Sequence, residues 1–170
     1  MPAWIGAVCG PALAGGPAAH LDSVVLSAVD GLGADLVCTH VDRSATVASV
    51  VVSARTPREP DRADLAALAG RLGGPAAVLG TARTAGRCVR FPGQDTLTGS
   101  RTAAEIVAGS AIDEVVGIGV AVTDESMVDT RDYLRPTLVE GRLVLLVEPA
   151  AGGLLRPVEI EEPHQCCGGH

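Results

Sequence analysis

The stretch 46–54 reads TVASVVVSA, with valine or alanine on both parities of an extended chain. β-Branched side chains are stiff at χ1 and pack well on a pleated surface, so the run is a strand. A strand apolar on both faces needs cover on both, which a half-solvated antiparallel sheet does not supply. The chain is therefore expected to fold around a buried sheet.

The cover comes from amphipathic helices. Leu21, Val24, Val25, Ala28, Val29 and Leu32 recur at three- and four-residue spacing, with Ser23, Ser27 and Asp30 opposite and Gly31 and Gly33 as a stop, which predicts a helix over 21–33. Leu65, Leu68 and Leu72 predict a second over 61–72, capped by Asp61 and ended by Gly73, Gly74 and Pro75. Thr102 and Glu105 form a capping-box pair that opens a third helix, running to about residue 111.

Strands are expected at 3–8, 35–41, 76–79, 87–91 and 114–118, with 120–132 as loop. The last third changes character. Segments 137–139 and 142–147 flank Glu140 and Gly141, and 154–161 follows a small-residue turn, which together read as an antiparallel meander with Pro157 placing the final strand at an edge. The fold class is α/β or α+β: a mixed sheet, three main helices and a C-terminal antiparallel meander. The length of 170 residues fits one domain over 1–160, with a division into lobes 1–92 and 93–160 left open and 161–170 as a tail.

Only Trp4, Phe91 and Tyr133 are aromatic, so no base-stacking platform can be assembled, and the net charge of -7 also argues against a nucleic-acid partner. The apolar runs are too short to span a bilayer. Residues 1–19 carry no charged side chain, but repeated Gly and Pro and the lack of a basic start oppose a secretory signal, so a cytoplasmic protein is expected. Of five cysteines, Cys9, Cys38 and Cys88 sit singly in apolar segments as small hydrophobes, which disfavours a disulfide framework. His20 falls at a helix start, and His40 in a buried strand reads as a satisfied core imidazole.

Charge is distributed unevenly. Residues 1–60 carry a net of -2, residues 61–112 a net of +2, and residues 113–170 a net of -7. Arg83, Arg87, Arg90 and Arg101 face a single acid, Asp95, among glycines and hydroxyl residues. Guanidinium forks suit carboxylate or phosphate, so this segment is a candidate anion-binding site, weighed against internal pairing of these arginines with the C-terminal acids. The chain contains no lysine, so a Walker loop is excluded. Asp95, Asp129 and Asp132 are the candidate acid/base residues, although a solvated turn, in which Asp129 bonds local amides and Arg131 or Arg135 pairs outward, is the preferred reading of the acids between 124 and 132.

The tail places His164, Cys166, Cys167 and His170 within seven residues. Thiolate and imidazole together favour Zn, Cu or Fe, and a closed shell would borrow a further ligand such as Cys88, His40 or a second copy's tail. A solvent-exposed tail or a redox pair at Cys166 and Cys167 is the alternative. Residues 87–99 (RCVRFPGQDTLTG), 128–132 (VDTRD) and the Cys-Cys-x-x-His ending resemble a family of uncharacterised actinobacterial proteins. That resemblance implies that the three segments belong to one module and brings no activity with it. Three functions are expected from these features: a transition-metal-binding module, an enzyme or binding domain for a small anionic ligand, or a structural homo-oligomer.

Overall fold

The computed structural model describes residues 1–161. The first half runs β1 (Ala3–Val8), a single turn α1 (Pro11–Ala14), α2 (Ala18–Val29), β2 (Leu36–Asp42), β3 (Ser49–Thr56), α3 (Arg62–Leu72) and β4 (Ala76–Leu79). The strands lie in the order β4-β1-β3-β2, each antiparallel to its neighbours. This is the split β-α-β topology of ferredoxin-like folds. Helix α3 is set by its caps: Asp61 accepts the Asp64 amide while the Asp64 carboxylate accepts that of Asp61, and Gly73 closes the other end in the left-handed region.

The second half adds β5 (Gly86–Arg90), β6 (Ser100–Thr102), α4 (Ala103–Gly109), β7 (Glu114–Gly117), β8 (Met127–Asp129), β9 (Thr137–Val139), β10 (Arg142–Pro149) and β11 (Leu155–Pro157). Strand β5 pairs with β2 on one edge and β9 on the other, so one mixed sheet of eleven strands runs through both halves. The expected meander β9-β10-β11 is present and antiparallel, and β10 takes β7 as a parallel partner in addition.

Two cores flank the sheet. One joins Val25 and Val29 of α2 and Leu68 and Leu72 of α3 to Ile5, Val37 and Val52. The other packs Leu36, Cys38 and Cys88 against Phe91, Ile106, Leu138 and Leu145. Leu36, Val37, Cys38 and Thr39 are consecutive and all buried, so the doubly covered strand is β2 more than β3. The run expected from Thr46 starts as an exposed turn, with Val47 77% exposed, and becomes strand only at Ser49.

Other boundaries differ for physical reasons. Helix α2 begins three residues earlier than its apolar spacing implied and gives way to a 3-10 turn at Asp30–Leu32, closed by Gly33 at φ 64°. The loop expected over 120–132 contains β8, and β6 was not foreseen. These three-residue strands carry no apolar period and exist through pairing with each other, Ser100 opposite Asp129 and Thr102 opposite Met127. Strand β11 is interior rather than an edge, because β8 joins it in parallel at Leu155. Pro157 is tolerated because the β8 pairing stops short of it.

Candidate functional site

Asp22 lies one α-helical face with Val25 and Val29, three and seven residues on, and is itself only 3% exposed. A lone carboxylate there would lose its hydration without compensation. Two guanidiniums compensate it. Arg87 of β5 donates from Nη1 and Nη2 to the two Asp22 oxygens at 2.6 and 2.8 Å, and Arg135 donates from Nε at 2.9 Å. Burial pushes the Asp22 carboxyl up, but the hydrogen bonds and charges of Arg87 and Arg135 outweigh it and hold the group below the ordinary aspartate value.

Arg87 is shared with a second acid. Its Nε donates to both oxygens of Glu159 at 2.8 and 2.9 Å, and its Nη2 also reaches Glu159 Oε1. Burial disfavours the Arg87 charge, yet its bonds to Asp22 and Glu159 raise its pKa above the ordinary arginine value. The Tyr133 hydroxyl stands between the acids, 3.4 Å from Asp22 Oδ2 and 3.3 Å from Glu159 Oε1, and accepts from Arg87 Nη2 at 3.2 Å. The Arg135 guanidinium carbon lies 3.9 Å from the centre of the Tyr133 ring, which clamps the phenol in place. Two cations and two carboxylates make this network formally neutral.

Three members of the network, Arg87, Tyr133 and Glu159, line a cleft of about 580 Å³ together with Pro17, Ala18, Val158, Ile160 and a further acid, Glu161. Pro17 and Ala18 are the start of α2, which carries no side-chain cap. An uncapped helix start leaves first-turn amides and the positive dipole end available to an anion. An apolar wall with a few convergent polar groups is the usual form of a small-molecule site.

The four arginines of the basic segment are not gathered into one clamp. Arg87 enters the cleft just described. Arg90 pairs with Asp30 at 2.6 Å. Arg83 is exposed and lines a separate cleft of about 400 Å³ with His40, Asp42 and Ser44. Arg101 lies on β6, and its Nε is the one buried side-chain nitrogen or oxygen without a hydrogen-bond partner among the described residues. The expected alternative, pairing with C-terminal acids, holds for Arg87 through Glu159, while Asp22 of α2 and Asp30 of the 3-10 turn after it supply the other carboxylates of Arg87 and Arg90.

The three candidate acid/base residues lie outside the cleft. Asp95 is exposed in a 3-10 turn. Asp129 accepts the Arg131 amide and pairs with the Arg131 guanidinium at 3.0 Å, and Asp132 accepts the Gly99 amide at 2.8 Å. Both serve the turn, which carries Arg131 and Asp132 at positive φ. His164, Cys166, Cys167 and His170 lie outside the described residues. Of the extra ligands a tail site might borrow, Cys88 is fully buried, its thiol donating to the Arg90 carbonyl at 3.0 Å, and His40 bonds the buried Ser53 hydroxyl at 2.6 Å. No group of three or more His, Cys, Asp or Glu placed to hold a metal ion occurs among the described residues. No helix among them is long and apolar enough to cross a membrane.

Asp22, Arg135 and Glu159 were not singled out from the sequence. Asp22 did carry a signal: it is an acid three and seven residues before Val25 and Val29, hence on the apolar face of its helix. Glu159 was marked only as one of the C-terminal acids open to pairing with the basic segment, since its partner is 72 residues away. No protein family, characterised protein or solved structure matches this chain.

Proposed function

We propose that the protein is a binding domain for a small anionic metabolite, with Arg87 as the anion-binding residue and the cleft between the start of α2 and residues 158–161 as its site. The observation that carries this reading is the Arg87 fork, which points into an apolar cleft and already holds a carboxylate, that of Glu159. Asp22 fixes the far edge of the guanidinium, so its near edge is oriented before any ligand arrives, and binding need not spend entropy on ordering it. Tyr133 adds a hydroxyl, and the uncapped start of α2 adds a favourable dipole end.

The test is a thermal-shift screen of the full chain with phenylacetate, hexanoate, inorganic phosphate and sulfate at millimolar concentration. A ligand that binds only the native state raises the midpoint. At least one anion is expected to raise it in the wild type and not in Arg87→Gln, whereas no rise with any of the four would overturn the reading.

The second reading is metal binding by the tail. It is favoured by one observation, the crowding of His164, Cys166, Cys167 and His170 into the segment that follows directly on the cleft residue Glu161. Zn, Cu or Fe are the ions such donors prefer. Elemental analysis of protein purified under reducing conditions, repeated on Cys166→Ser/Cys167→Ser, tests it. Stoichiometric metal lost in the double variant supports tail binding, and metal-free wild type sinks it.

A further inference from the structure

We infer that Glu159 is a built-in competitor for the ligand of this cleft, and that the ligand is a monocarboxylate with an apolar body, which binds by displacing the Glu159 carboxylate from Arg87 and Tyr133. The inference rests on the anion-binding reading and makes it specific.

The two acids on Arg87 are held very differently. The Asp22 side chain is 4% exposed and has two guanidiniums, so moving it would strand a charge in the interior. The Glu159 side chain is 35% exposed, and its hydrogen bonds run only to Arg87 and Tyr133 among the described residues. It lies two residues past the end of β11, after Val158, which is 45% exposed. Glu159 can turn into water with its charge solvated, while Asp22 cannot.

The vacated position dictates what fills it. Arg87 Nε and Nη2 present a planar two-donor edge, and a carboxylate matches that edge with two parallel bonds. Charge selects further. Asp22, Glu159, Arg87 and Arg135 sum to zero, and exchanging one carboxylate for another keeps that balance. A phosphate dianion would leave one excess negative charge beside the buried Asp22 carboxylate, where it is poorly screened. The remainder of the ligand meets Pro17, Ala18, Val158 and Ile160, and the one further charged group lining the cleft, Glu161, is an acid that opposes a second negative charge on the ligand.

The experiment is isothermal titration calorimetry of the full chain with phenylacetate and, separately, inorganic phosphate, on wild type and Glu159→Gln. Glutamine keeps the shape and removes the competing charge. Phenylacetate is expected to bind Glu159→Gln roughly tenfold more tightly than wild type, since a charge-assisted competitor is replaced by a neutral one, and phosphate is expected to bind less tightly than phenylacetate in both. A Glu159→Ala variant repeats the measurement without the glutamine amide and is expected to show the same direction. Equal or weaker phenylacetate binding in both variants, with wild type still binding, overturns displacement and leaves the anion-binding reading standing. Phosphate binding more tightly than phenylacetate overturns the monocarboxylate assignment. Failure of every protein to bind either anion removes the anion-binding reading, and this inference with it.

Discussion

Asp22 and Arg87 stand 65 positions apart and meet through two parallel hydrogen bonds of 2.6 and 2.8 Å, joining α2 to the strand that links the two halves of the sheet. With Arg135 on the same carboxylate, three distant segments close on one buried charge. Several consequences can be measured.

Asp22→Asn keeps the side-chain shape and removes the charge, leaving two guanidiniums facing a neutral amide. Removing one partner of a buried ion pair costs about 3–5 kcal/mol. Arg87 retains Glu159 and remains partly solvated, so the expected loss lies near the lower end, about 3 kcal/mol. Denaturant unfolding of wild type and variant, compared at constant slope, measures it.

The same carboxylate makes stability depend on pH in a defined direction. Its folded pKa lies below its unfolded value, so its contribution is full above the ordinary aspartate range and is lost as pH falls through the folded pKa. The stability gap between wild type and Asp22→Asn is therefore expected to be constant near neutrality and to narrow below about pH 4. A gap that persists unchanged into acid would show that Asp22 does not titrate with the fold.

Tyr133 is the only tyrosine, so phenolate absorbance reads this group alone. Burial pushes its pKa up, and the negative charges of Asp22 and Glu159 add to that against the opposing arginines. The folded protein is expected to titrate above the free phenol. Because the folded pKa is raised, the associated stability is complete below the unfolded value and is lost as pH climbs from about 10 through the folded pKa. Tyr133→Phe should remove this alkaline loss.

Gly93 opens the 3-10 turn Gln94–Thr96 at φ 84° and lies against the end of α4 at Gly109 and Ser110. A Cβ there would stand 2.6 Å from Ser110 Cα, too close for any side chain. Gly93→Ala is expected to lower stability by about 1–3 kcal/mol from backbone strain alone, with the contact adding to it. Thr102→Ala, which removes the cap accepting the Glu105 amide, should cost about 1 kcal/mol. Thermal midpoints of the two variants give the order.

Local signals were legible wherever their cause is local. The caps at Asp61 and Thr102, the stop at Gly73 and the short strands 3–8, 76–79 and 137–139 follow from turn chemistry and side-chain period within a few residues. Strands β6 and β8 were not legible, because each is three residues long without an apolar period and is a strand only through distant pairing, β6 with β8 and β8 also with β11. The basic segment was visible as composition, but β5, the loop before it and β6 carry its arginines to different neighbours.

By itself, the sequence determined that this chain builds a mixed sheet with helical cover, since backbone propensity and apolar period act over a few residues. It also determined that a net positive balance occurs only in the middle segment, 61–112. Tertiary structure alone decided which arginine matters and what it faces. Ion pairing in a desolvated interior depends on distance in space, and chain order does not encode the meeting of Asp22, Arg87, Tyr133, Arg135 and Glu159 until the sheet has closed.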